Sequence, residues 1–181
     1  RDPQKGFGGR RVSLLAGLGG QRFFSEAARD GLFPPATLGG VEVAVRDDLG
    51  HGLAWGFDFA LGGGNGQLRL PGVDPIPVRF TEAMGGLSLW GDVRAGPLTL
   101  SAGGRLAFVW LSRSFPREVD LPEQYFFTIA PGLTGAAALR LGARVSAVAR
   151  VRVSYLFYNV DRNRSLGFAE ALLGVEYALG D

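Results

Sequence analysis

The chain has 181 residues, among them 29 Gly, 13 Phe and no Cys, with a formal net charge of +2. That length sets a single domain, and the missing Cys excludes a disulfide framework and thiolate zinc sites. The cations are almost all Arg and are scattered without a basic run, which excludes a nucleic-acid footprint despite a pI of 9.4.

No stretch approaches the roughly 20 consecutive apolar residues of a spanning helix. A span by strands remains open, because those need only about 10 residues with alternate ones apolar. The chain starts Arg1-Asp2-Pro3 and reads as a mature or excised domain, with residues 1–9 a polar, Gly-rich lead-in and the fold over 10–181.

In chain order, residues 11–24 alternate Val12, Leu14, Ala16 and Leu18 with Ser13, Leu15, Gly17, Gly19 and Gln21, which predicts a strand. Charges and a Pro-Pro pair make 25–35 a loop. A second strand over 38–46 sets Val41, Val43 and Val45 against Glu42, Ala44 and Arg46, and 47–51 turns tightly. In 52–61, Leu53, Trp55, Phe57, Phe59 and Leu61 share one face at period two, while Ala54, Gly56, Asp58 and Ala60 share the other. The Gly- and Pro-rich stretch 62–77 predicts a long loop.

Residues 79–94 place Ala83, Leu87, Leu89 and Val93 opposite Glu82, Met84, Ser88, Trp90 and Asp92, and 94–97 is a short turn. Residues 98–113 set Leu100, Ala102, Leu106, Phe108 and Trp110 against Thr99, Ser101, Gly103, Arg105 and Ala107. After a charged loop, 114–124, residues 125–141 set Phe127, Ile129, Leu133, Ala137 and Leu139 against Thr128, Ala130, Thr134 and Arg140. Pro131 falls mid-strand and predicts a bulge. Gly142-Ala143 is a minimal hairpin connection. Residues 144–158 then alternate Val145, Val151, Val153, Tyr155 and Phe157 with Ser146, Arg150, Arg152, Ser154 and Tyr158. Residues 159–164 turn the chain, and 167–179 set Leu173, Val175, Tyr177 and Leu179 against Glu170, Gly174 and Glu176.

The bulky faces carry only apolar and aromatic groups, and the opposite faces carry small residues and isolated charges. A half-exposed soluble sheet shows Lys, Thr or Glu on its wet side, not Gly and Ala. Small residues suit the crowded inside of a narrow barrel, so the large apolar face looks outward, where it needs lipid. The strands number roughly eight, and long connections alternate with short ones. The fold class expected is all-β, an eight-stranded antiparallel up-and-down transmembrane barrel.

Architecture over residues 11–179 resembles the eight-stranded bacterial outer-membrane barrels, the OmpA transmembrane domain and OmpX among them. The last strand adds Gly174, Tyr177 and Leu179, similar to the family's terminal Gly, aromatic and hydrophobic pattern. That resemblance implies recognition by barrel assembly machinery, a Gram-negative outer-membrane location with a periplasmic N-terminus, and an internal ion-pair network closing the lumen. The loops 25–35, 62–77, 114–124 and 159–164 would then be extracellular and open to a ligand.

Inward charges expected in that network are Glu42, Asp58, Glu82, Asp92, Glu170 and Glu176 against Arg46, Arg105, Arg140, Arg150 and Arg152. Their near balance matters, since an unpaired charge in a narrow lumen carries a large desolvation cost. Lipid-facing and girdle candidates are Phe24, Trp55, Phe57, Phe59, Phe108, Trp110, Tyr155, Phe157 and Tyr177. No enzymatic activity, metal site or cofactor is expected. The only His, His51, lies in a turn without a partner Ser, and no Lys-Ser/Thr and helix follow the glycines of 62–66. Function is therefore expected to be that of a membrane anchor or structural surface protein. Two alternatives share the pattern: a small pore or carrier for ions or hydrophobic solutes, and a soluble lipocalin-like barrel turned inside out.

Overall fold

The structure, a computed structural model, describes residues 10–25, 36–160 and 162–180, apart from the side chains of 158–160, 162–165 and 180. The expected lead-in, 1–9, and most of the expected loop 25–35 lie outside the described residues.

Eight strands form one closed antiparallel barrel in sequence order: β1 (Arg10–Phe23), β2 (Ala36–Gly50), β3 (Leu53–Leu68), β4 (Ile76–Ala95), β5 (Leu98–Ser114), β6 (Gln124–Arg140), β7 (Val145–Val160) and β8 (Arg162–Gly180). β8 returns to pair with β1, from Val12 opposite Gly180 to Phe23 opposite Phe168, so no strand edge is left over from closure. One 3₁₀ turn, η1 (Arg117–Val119), sits in the β5–β6 connection.

Alternation fixes which side is which. Phe57, Phe59, Phe108 and Leu106 point away from the barrel and are exposed, whereas Ala54, Asp58, Arg105 and Ala107 between them are buried. The inside-out lipocalin arrangement is not the one adopted, because Phe57, Phe59 and Phe108 line the exterior while Asp58 and Arg105 are buried.

Connections differ at the two ends. At one end the turns are tight: 51–52, where His51 has φ 56° and Gly52 φ 76°; 96–97, where Gly96 has φ 60°; and 141–144. The last is longer than the two-residue link expected at Gly142-Ala143, since β6 ends at Arg140 and β7 begins at Val145. We refer to this as the turn end and to the other as the loop end.

Two of the expected long loops are corrected. The stretch 62–77 is mostly strand, and the connection is residues 69–75. The glycines there are not loop residues but a close approach of two backbones. A Cβ on Gly64 would lie 1.7 Å from the Thr37 carbonyl oxygen, so only Gly fits that rung. The expected turn at 159–164 is also paired strand, as the β7–β8 ladder runs on to Val160 opposite Arg162. Polar composition there does not mark where pairing stops. The loop expected at 114–124 stands, trimmed to residues 115–123.

The bulge expected at Pro131 is absent. Leu106 pairs with Pro131 in an unbroken β5–β6 register. On the other flank the β6–β7 ladder has its last pair at Gly132 and Ser154, one residue short of the proline. Pro131 has no N–H to donate, so it ends a ladder instead of bending a strand. Irregularities in register occur instead between Asp48 and Gly50 and between Val12 and Ser13.

Candidate functional site: a layered lumen

Inward side chains stack in three layers. The middle layer is ionic. Arg105, from β5, clamps Asp58, from β3, with Nη2 to Oδ2 at 2.5 Å and Nε to Oδ1 at 3.2 Å, the two-point geometry that suits a guanidinium to a carboxylate. Ser88 Oγ donates to Asp58 Oδ1 at 3.5 Å, and Arg152 Nη2 stands 3.9 Å from Oδ2. Glu42, from β2, takes hydrogen bonds from both Arg150 and Arg152 of β7, tying opposite walls together across the lumen. Glu82 accepts from Gln21 Nε2 at 3.4 Å, and its carboxyl lies against that of Glu170.

Toward the turn end the lumen opens into a polar cavity of about 110 Å³. There Arg46 Nη2 donates to Asp92 Oδ1 at 2.5 Å, and its guanidinium lies 5.0 Å above the Trp90 ring. That contact settles how a Trp points inward: it sits near the rim, beneath a cation that its π face attracts. Arg140 and Glu176 also line this cavity, and neither forms a salt bridge among the described residues. At the outer lip, Arg10 pairs with Asp47 at 3.0 Å in full view of solvent.

Toward the loop end the interior holds an apolar plug, with Arg113 of β5 also buried at that end and donating from Nε to Gln124 Oε1 at 2.8 Å. Phe23, Phe80, Met84, Val109, Leu156 and Phe168 form one buried cluster, with Phe23 and Phe168 stacked at 5.3 Å across the β1–β8 seam. Sequence reasoning placed Met84, Ala107 and Ala130 inward but missed that they belong to one plug. The signal was available: residues 107–111 are apolar on both faces, as they must be where lipid lies outside and a dry core inside.

Outside, Trp55, Phe57, Phe59, Phe108, Tyr155, Phe157 and Tyr177 are exposed, and so is Phe24. Trp110 is half-buried, and Phe108 stacks on Phe127 at 6.1 Å. In β8, Tyr177 and Leu179 face outward, while Gly174 pairs with Gly17 and Val148. His51 is exposed in its turn. Tyr158, expected inward, lies outside the described side chains.

A closed antiparallel barrel with paired charges inside and an apolar, aromatic-bearing exterior is the architecture of eight-stranded transmembrane barrels. No family model and no curated protein matches the sequence. Solved structures do. The chain is similar to Neisserial surface protein A, with 15% identity and a TM-score of 0.63 over 96% of this chain and 99% of that one. It is also similar to the outer membrane protein OprG of Pseudomonas aeruginosa, with 9% identity and a TM-score of 0.60 over 99% and 100%. A third similar structure is Ail, the attachment invasion locus protein of Yersinia pestis, in complex with the heparin analogue sucrose octasulfate, with 12% identity and a TM-score of 0.52 over 94% and 99%. At these identities the likeness is one of fold, and it is the fold that the sequence pattern resembles.

Proposed function

We propose that the protein is an integral barrel of the bacterial outer membrane, a non-enzymatic anchor and structural surface protein whose lumen is closed by its internal arginine–carboxylate pairs. The observation that carries this reading is the two-sidedness of a single strand. Phe108 is 56% exposed and Arg105 6%, three residues apart. Water would reverse that arrangement, and hydrocarbon stabilises it.

In this reading the turn end and the N-terminus face the periplasm, and the connections at the loop end face outward. The complex of Ail, a barrel with this fold, with the heparin analogue sucrose octasulfate supports the idea that those connections meet partners. Gly174, Tyr177 and Leu179 on the exposed last strand would be read by the barrel assembly machinery. A pore is not favoured, since ionic and apolar layers fill the lumen in series. So narrow a barrel has an interior just wide enough for side chains to fill.

The test uses the absence of native Cys. Single cysteines replacing Gly72 in the 69–75 connection and Gly96 in the opposite turn are probed in intact cells with a membrane-impermeant maleimide. The reading expects labelling at position 72 alone. Labelling at 96 alone would invert the orientation, and recovery of the protein in the soluble fraction without detergent would overturn the membrane assignment.

A further inference from the structure

The other strand seams leave at most two residues of their shorter strand without a ladder partner, whereas the β6–β7 seam leaves seven of the sixteen in β7. β6 continues to Gln124 and β7 to Val160, yet pairing stops at Gly132 and Ser154. Beyond that point the two strands are joined, among the described residues, by Thr128 Oγ1 donating to the Phe157 carbonyl at 2.9 Å. Pro131 stands at the first unpaired rung and has no N–H with which to continue the ladder. Unpaired backbone at membrane depth is costly, several kcal/mol per group, so this slit in the hydrogen-bond ladder, beginning at a proline, is not a neutral feature of a barrel wall.

The slit also coincides with the change in lumen chemistry. Its outer lips are Phe127, Ile129, Tyr155 and Phe157, all exposed in the apolar belt. Its inner lips are Ala130 and Leu156, both buried members of the apolar plug that also contains Val109 and Phe168. No charged side chain stands among these residues. At the level of Glu42, Asp58 and Arg105, where the interior is charged, the same seam is fully laddered: Thr134 pairs with Arg152 and Ala136 with Arg150.

We infer that the β6–β7 seam beyond Gly132 is a lateral port through which an acyl chain passes from the surrounding lipid into the apolar end of the lumen. The inference rests on the membrane reading above and goes beyond it. An acyl chain needs no hydrogen-bond partner and is thin enough to lie between two strands. Leu156 is the side chain it displaces, because that residue lines the slit and closes the plug behind it. The ionic layer below stops the chain, so the port leads into the lumen and not through it.

The experiment uses the full chain in lipid nanodiscs with two photoreactive probes: palmitic acid bearing a mid-chain diazirine, and a phosphatidylcholine carrying the same chain. Adducts are mapped by mass spectrometry. The port predicts adducts on inward Leu156, Ala130 and Phe168 as well as on outward Phe108. An oxidised Ile129→Cys/Phe157→Cys pair, the only thiols present, closes the slit. It should abolish the inward adducts, leave those on Phe108, and release the block on reduction. Pro131→Thr restores an N–H at the unpaired rung and should lower the inward adducts without any crosslink. Inward labelling by the free acid alone identifies a free fatty acid as the source, and by the phospholipid a membrane lipid. Inward adducts indifferent to both variants, or adducts confined to outward side chains throughout, overturn the port while leaving the membrane reading intact. Absence of adducts even on Phe108 removes both.

Discussion

A guanidinium inside a membrane barrel is tolerable only while its carboxylate is there. Arg105 has a side chain 2% exposed and meets Asp58 at two points, with only Ser88 and the more distant Arg152 as further partners of that carboxylate among the described residues. Arg105→Leu therefore strands a buried charge and should cost roughly 3–5 kcal/mol, whereas replacing both partners by apolar residues is far milder. Urea unfolding in lipid vesicles, followed by Trp fluorescence, checks this. The Asp58→Leu/Arg105→Leu double variant should be more stable than Arg105→Leu alone, and strictly additive losses would show that the pair is not the unit. A second residue-scale expectation concerns room, not charge. Gly103 pairs with Trp90, and a Cβ there would lie 2.0 Å from the Leu89 carbonyl oxygen. Gly103→Ala must push the β4 backbone aside, an overpacking worth roughly 1–3 kcal/mol or more, readable in the same titration.

At the scale of the strand, how much was legible depended on whether the two faces differ. β3 and β5 could be read directly over 53–61 and 98–106, because lipid asks for bulk on one side and the narrow lumen for small or paired groups on the other. Legibility failed where that contrast vanishes. In 107–111 both faces are apolar, so the plug left no alternation to find. In 62–64 the glycines that let backbones touch looked like loop. Ion-pair partners were beyond reach for another reason: Glu42 and Arg150 are 108 positions apart, on strands that meet only across the closed barrel. Pro131 was noticed, but its consequence depends on which flank its missing N–H faces, and composition does not encode that. The structure now makes an element-scale prediction. In hydrogen–deuterium exchange, amides of β6 and β7 beyond Gly132 should exchange well before those of the fully laddered β3 and β4, since local opening requires fewer bonds to break. Pro131→Thr should slow the β7 segment at 155–157. Equal protection in all these strands would contradict the interrupted ladder.

Over the whole molecule, the apolar exterior and the blocked interior are consequences of one closure. Joining β8 to β1 pairs the two outermost strands of the sheet, which leaves the outward residues facing hydrocarbon and the inward ones facing each other. Phe108→Arg, near the middle of the belt, should accordingly cost about 2–4 kcal/mol of folding into vesicles, and a neutral result would place that face in water. The interior makes the sharper prediction, because its layers act in series. Opening the ionic layer, as Glu42→Ala does by releasing Arg150 and Arg152, still leaves the aromatic plug above it. Thinning the plug with Phe80→Ala and Phe168→Ala still leaves the guanidinium–carboxylate clamps below. In planar bilayers the parent chain and either class of variant should show no unitary conductance steps, and only the combination should pass ions. Steps from the parent chain would mean that the layers part under voltage. The anchor reading would then give way to that of a channel gated by its own salt bridges.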